Sequence, residues 1–129
     1  MTANDNKAVV RRFVEEVLTG ARLDRVDELV APNYLNRAFG AGPDAFKTVI
    51  AGLAAALPER RIDIEDMVAE GDAVVIRYSA TMADRGGKPV TFRGLTFYRL
   101  TGGRIVEDDP ITTPELAREL GPLLGEPVA

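Results

Sequence analysis

Hydrophobic periodicity changes once along this chain, at Pro58, and that change restricts the fold more than any other feature. Before it, apolar residues recur at helical spacing. Val9, Val10, Phe13, Val14 and Val17 form one stripe, which predicts a helix capped by Asn4 or Asp5 and running to about Leu18. Thr19-Gly20 ends it, glycine being the residue that accepts a left-handed stop. Leu23, Val26, Leu29 and Val30 mark a short second helix closed by Pro32. Tyr34 to Gly42 reads as irregular. Pro43 suits a first helical position, and Phe46, Val49, Ile50, Leu53 and Leu57 supply the buried face of a third helix.

After Pro58 the period is two. Ile62, Ile64, Asp66 and Val68 alternate with Asp63, Glu65, Met67 and Ala69, which predicts a strand followed by a turn at Glu70-Gly71-Asp72. Ala73 to Ala83 and Val90 to Leu100 give two more strands. Thr101-Gly102-Gly103 leads a hairpin into Arg104-Ile105-Val106-Glu107. Pro110 and Pro114 bracket an exit to a closing helix from Glu115 to Leu124. Helices first and an antiparallel meander afterwards define an α+β fold, a curved antiparallel sheet wrapped around N-terminal helices with an internal pocket. Gly86, Gly87 and Gly94 suit the bending, Gly94 as a bulge or corner. With neither repeat nor linker, residues 1–129 read as a single domain.

Two absences bound the chemistry. The chain has no Cys, which removes disulfides, thiolates and zinc ribbons, and no His, which removes Ser-His-Asp and Cys-His nucleophiles and the usual zinc and iron sites. Acid–base work must fall to Asp, Glu, Tyr, Lys or Arg. A metal would need carboxylates alone, and no Asp-rich loop of calcium-binding spacing occurs. The expectation is chemistry without cofactor or metal, or none. Net charge is −4 with no basic run, which argues against nucleic acid. Val49 to Leu57 is too short an apolar run to span a bilayer, and the acidic start is unlike a secretory signal; the expected location is cytoplasmic.

An ordered set of segments resembles the SnoaL-like polyketide cyclases. It comprises Asn6-Lys7 with Arg11 to Val17, Leu29 to Tyr34, Gly42-Pro43, Ile64 to Asp72, Phe92-Arg93-Gly94, Tyr98-Arg99, Gly103 to Glu107 and Arg118 to Gly121. The resemblance implies the cone-shaped fold shared with ketosteroid isomerase, limonene epoxide hydrolase and nuclear transport factor two, usually as a homodimer binding a small hydrophobic molecule. Departures fall at functional positions. Arg37 stands where family members commonly have His, and Asp108-Asp109-Pro110 stands where they commonly read His-Trp-Asp, the Asp being the acid–base of the cyclases. Aligned from one side Pro110 takes that place; aligned from the other, Asp109 does.

A cyclase needs a base for a carbon acid, and a carboxylate in an apolar pocket can serve because desolvation raises its pKa. Asp109 and Asp108 are the candidate catalytic residues, with Asp109 favoured; on a regular strand only one of them faces inward. The alternative is a solvated acidic pair. Tyr34, Asn36, Arg37, Arg77 and Tyr98 are candidate substrate-binding residues. Arg37 would pair with Asp108 or Asp109. Tyr34-Leu35-Asn36 resembles the Tyr-x-Asn pair of limonene epoxide hydrolase, with Arg77 in a plausible position for that enzyme's relay but Ser79 where its Asp would be. Tyr78 reads as core, and Arg93 and Arg99 as solvated. Three functions follow in order: a cofactor-independent cyclase or isomerase acting on a small apolar or polyketide-like carbonyl compound, an epoxide hydrolase, and a non-catalytic ligand-binding or dimerisation module.

Overall fold

The computed structural model describes residues 1–112. The expected helix from Glu115 to Leu124 and the Arg118 to Gly121 segment lie outside the described residues. Helix α1 (Ala3–Arg12) runs unbroken into a π-helical stretch, Phe13–Thr19. A single 3-10 turn, Leu23–Arg25, leads into α2 (Val26–Leu29), strand β1 (Val30–Asn36) and α3 (Pro43–Ala56). Four long strands follow: β2 (Glu59–Glu70), β3 (Ala73–Ala83), β4 (Pro89–Thr101) and β5 (Arg104–Thr112). They form one open sheet in the order β1-β5-β4-β3-β2, antiparallel except where β1 lies parallel to β5.

The α+β class, the N-terminal helices and the curved, unclosed sheet match the expectation from periodicity. The helices lie on the concave side, where Val10, Phe13, Val14, Val17, Phe46, Ile50, Leu53 and Leu57 join Val74, Ile76, Ala80, Tyr98, Leu100 and Ile105 in one core. At its centre Phe13 stacks on Phe46 at 5.6 Å and meets Tyr98 edge-on at 6.0 Å.

Several local expectations are corrected. The cap of α1 is Thr2: its hydroxyl accepts from the Asp5 N–H at 3.0 Å and the Asp5 carboxylate accepts from the Thr2 N–H at 2.9 Å, a reciprocal box that no single Asn or Asp supplies. Gly20 is not left-handed; Ala21 is, with φ 53°. Glycine is needed at 20 because a Cβ would sit 2.8 Å from the Glu16 carbonyl oxygen, where the widened turns finish. Val30–Asn36, read as the end of a helix and an irregular loop, is an edge strand. Pro32 is tolerated because an edge strand need not donate every N–H to a ladder. In β2 the pairing shifts at Glu65, so Met67 and Ala69 continue the inner face begun by Ile62 and Ile64, while Asp66 and Val68 face out. Gly94 pairs with Tyr78 in continuous register and is no bulge.

Candidate functional site: a buried aspartate beside an edge strand

Pairing between β4 and β5 slips once. Arg99 faces Glu107 but Leu100 faces Ile105, which leaves Val106 as an extra residue. Ile105 points into the core on one side of this bulge. Strict alternation would then send Glu107 and Asp109 inward; the extra residue inverts the face, and Asp108 goes in. Asp108 is 3% exposed and lies opposite Tyr98, while Asp109 lies opposite Phe97 on the outer face. The side chain favoured from sequence is therefore on the wrong face for an interior role, and its neighbour occupies the interior.

Strand β1 brings the partners. Its inner-face residues Tyr34 and Asn36 are 2% and 4% exposed. The Tyr34 hydroxyl donates to Asp108 Oδ2 at 2.6 Å, and Asn36 Nδ2 donates to the same oxygen at 3.2 Å. Asn36 is itself oriented, because its Oδ1 accepts the Phe39 N–H at 3.1 Å; its amide cannot flip without losing both bonds. The Arg37 N–H donates to the Asp108 carbonyl oxygen at 2.8 Å, fixing β1 against β5 at this point. Among the described residues both side-chain donors reach Oδ2 and none reaches Oδ1.

Burial dominates the electrostatics. Desolvation pushes the Asp108 carboxyl up to about 6 against the opposing pull of the Tyr34 and Asn36 hydrogen bonds, with the Asp109 charge adding a smaller upward push. Burial and the adjacent carboxylate hold the Tyr34 phenol far above its ordinary range, and Tyr98 is raised in the same way. Both phenols are therefore neutral donors at neutral pH. Among the described residues Asp108 is the one buried charged side chain on this inner face.

The two arginines do not join this group. Arg37 pairs with Glu107 at 2.9 Å on the outside, and Arg77 pairs with Asp66 across the outer face of β2 and β3. Alternation explains Arg77: Ile76 and Tyr78 point inward, so the residue between them points out. The structure thus gathers Tyr34, Asn36, Tyr98 and Asp108, and leaves Arg37, Arg77 and Asp109 outside. Thr96, buried on β4, was not singled out from sequence; its inward position two residues before Tyr98 was the available signal. A surface cleft of about 510 Å³ lies elsewhere, between β1 and the start of α3, lined by Asp27, Pro32, Pro43 and Arg104 among others. It holds none of the buried polar groups.

Comparison with known proteins agrees with the fold. The SnoaL-like domain family matches residues 10–108. A solved structure from Acidithiobacillus ferrooxidans, provisionally named a polyketide cyclase, is 25% identical with a TM-score of 0.74, over 87% of this chain and 91% of that one. One from Jannaschia sp. CCS1, provisionally named a SnoaL-like polyketide cyclase, is 22% identical with a TM-score of 0.78, over 97% and 95%. A limonene-epoxide-hydrolase-like epoxide hydrolase of Mycobacterium tuberculosis is 18% identical with a TM-score of 0.74, over 86% and 84%. No curated protein matches the chain in sequence. Ordered resemblance along the sequence, the open cone of helices and sheet, and the family match over residues 10–108 lead to one assignment: this chain belongs to the SnoaL-like domain family.

Proposed function

We propose that this protein is a cofactor-independent enzyme of the cyclase or isomerase type, with Asp108 as its acid–base group acting on a small, apolar carbonyl compound. The observation that carries the reading is a buried carboxylate, raised to about 6, with both donors on Oδ2. A base is most effective when its pKa lies near the working pH, and Oδ1 is the oxygen left to take the proton. Tyr34 and Asn36 hold the carboxylate in place, and Tyr98 lies opposite it as a further neutral donor. The cyclase names of the neighbouring structures support the same class of chemistry.

Deuterium uptake tests it. Small uncharged cyclic ketones, 2-tetralone among them, are incubated with the protein in heavy water and followed by NMR. The wild type is expected to accelerate exchange at the α-carbon, rising with pH to a plateau above about 6. Asp108→Asn should remove that acceleration, a loss of roughly 10²–10⁴-fold, and Asp109→Asn should keep it. Exchange retained in Asp108→Asn, or absent from the wild type, overturns the reading.

Epoxide hydrolysis is the second reading, favoured by the convergence of Tyr34, Asn36 and Asp108, which could hold a water. The outward position of Arg77 weighs against the full relay. Label from heavy-oxygen water in a diol product separates hydrolysis from isomerisation. We also place the protein in the cytoplasm as a homodimer. An apolar row on the outer sheet face supports the dimer. Among the described residues no helix is long and apolar enough to cross a membrane.

A further inference from the structure

Strand β1 is fastened to the sheet unevenly. Val30 pairs with Ile105, but the next pairs are Leu35 with Glu107 and Asn36 with Asp108, so Ala31 to Tyr34 have no register partner in β5. Tyr34 therefore reaches Asp108 from the end of an unpaired stretch, and its position depends on the few contacts that resume the pairing. On the outer face, behind the carboxylate, those contacts are ionic. Arg37 Nε donates to Glu107 Oε1 at 2.9 Å, while the backbone N–H of the same arginine donates to the Asp108 carbonyl oxygen at 2.8 Å. Glu107 is anchored in turn. Its Oε2 lies 3.7 Å from Arg99 Nε, and Arg99 Nη1 donates to Asp72 Oδ1 at 2.8 Å while the guanidinium lies over the Phe97 ring. A run of alternating charge thus ties β1 to β5, to β4 and to the turn between β2 and β3.

We infer that Arg37 and Glu107 are positioning residues: clamped across the outer face, they hold the end of β1 so that Tyr34 and Asn36 stay on Asp108 Oδ2 and leave Oδ1 for the substrate. The inference rests on the acid–base reading of Asp108. An ion pair as exposed as this one contributes little to the stability of a fold. Here it acts where backbone pairing is interrupted, and a small bias there decides whether the Tyr34 and Asn36 bonds keep their length. Those two bonds oppose the desolvation that raises the carboxyl's pKa, so loosening them moves it further up. The titratable groups that face Asp108 are Tyr34 of β1, Tyr98 of β4 and Tyr78 of β3, with Asp109 beside it on its own strand. Neither Arg37 nor Glu107 is among the charges that act on the carboxyl directly.

The test is a carbon-13 NMR titration of the Asp108 side-chain carboxyl in the wild type, Arg37→Ala and Glu107→Ala, the signal being identified by its loss in Asp108→Asn. Loss of either clamp residue should move the midpoint upward by about half a pH unit, the most that an ion pair this exposed transmits. Glu107→Ala is the decisive variant. If charge acted through space, removing a negative neighbour would lower the carboxyl's pKa, whereas a loosened β1 raises it. The double variant should shift no further than either single one, because all three remove one interaction. Shifts of opposite sign, a shift in one variant alone, no shift, or full additivity would overturn the inference. In the deuterium-exchange assay the pH profile should move with the midpoint. Failure of the acid–base reading shows separately, as exchange retained in Asp108→Asn, and the titration requires no turnover.

Discussion

Asp108 holds a charge where the fold disfavours one, and the cost has a sign that can be measured. Its folded pKa of about 6 lies above the ordinary carboxyl value of 3.8. Between these values the folded chain binds a proton that the unfolded chain has released, so stability falls as pH rises through this window. The full difference, about 2 pKa units, corresponds to about 3 kcal/mol of stability present below pH 4 and lost above pH 6. Asn at this position keeps an oxygen for Tyr34 and carries no charge. Asp108→Asn should therefore unfold at a higher temperature than the wild type at pH 7 and at nearly the same temperature at pH 4. Thermal unfolding from pH 4 to pH 8 reads this directly, and a flat difference across that range contradicts it. The same residue shows where sequence reading stopped. Asp108 and Asp109 are chemically identical neighbours, and only the face of the strand separates them.

That face is decided by an element-scale event, the extra residue Val106. No glycine or proline marks it; Ile105-Val106-Glu107 reads as an ordinary strand. The shift at Glu65 is equally silent, and plain alternation puts Asp66 and Val68 on the face of Ile62 and Ile64. The long strands and the third helix were legible because their apolar spacing persists over several turns or pairs. Strand β1 was not, since seven residues containing a proline and two asparagines carry little alternation, and its pairing with β5 is non-local. Another element-scale contact joins the two main helices. The Arg60 guanidinium donates to the Leu57 carbonyl at 2.8 Å and to the Thr19 carbonyl at 2.7 Å, so one side chain serves the C-terminal ends of both helices. Arg60→Met should lose about 1–3 kcal/mol, seen as a lower denaturant midpoint at unchanged slope. An unchanged midpoint would mean that water serves these carbonyls equally well.

At the scale of the molecule, the outer face of the sheet carries what the inner face does not need. Val68, Leu95 and Ile111 are 63%, 47% and 65% exposed, and Arg77 on β3 separates β2 from the Leu95–Ile111 pair. Exposed apolar rows of this kind mark interaction surfaces. With the proposed homodimer on this face, Leu95→Asp should convert the protein to a monomer in light scattering coupled to size exclusion, while thermal unfolding stays cooperative. A wild type that is already monomeric refutes the proposal. The overall class was legible from one change of period. The site was legible as residue types, Tyr34, Asn36 and an Asp of the last strand, but not as a geometry, because face and register come from pairings between distant strands.

Tyr34 and Asp108 are separated by 74 positions in the chain, yet they share a hydrogen bond. During synthesis the tyrosine emerges long before the aspartate, and the fifth strand must slot between the first and the fourth before the two meet. A ribosome-bound chain lacking that strand carries no assembled centre, however much of its helical layer has formed. Competence should therefore switch on late and all at once, with the docking of β5.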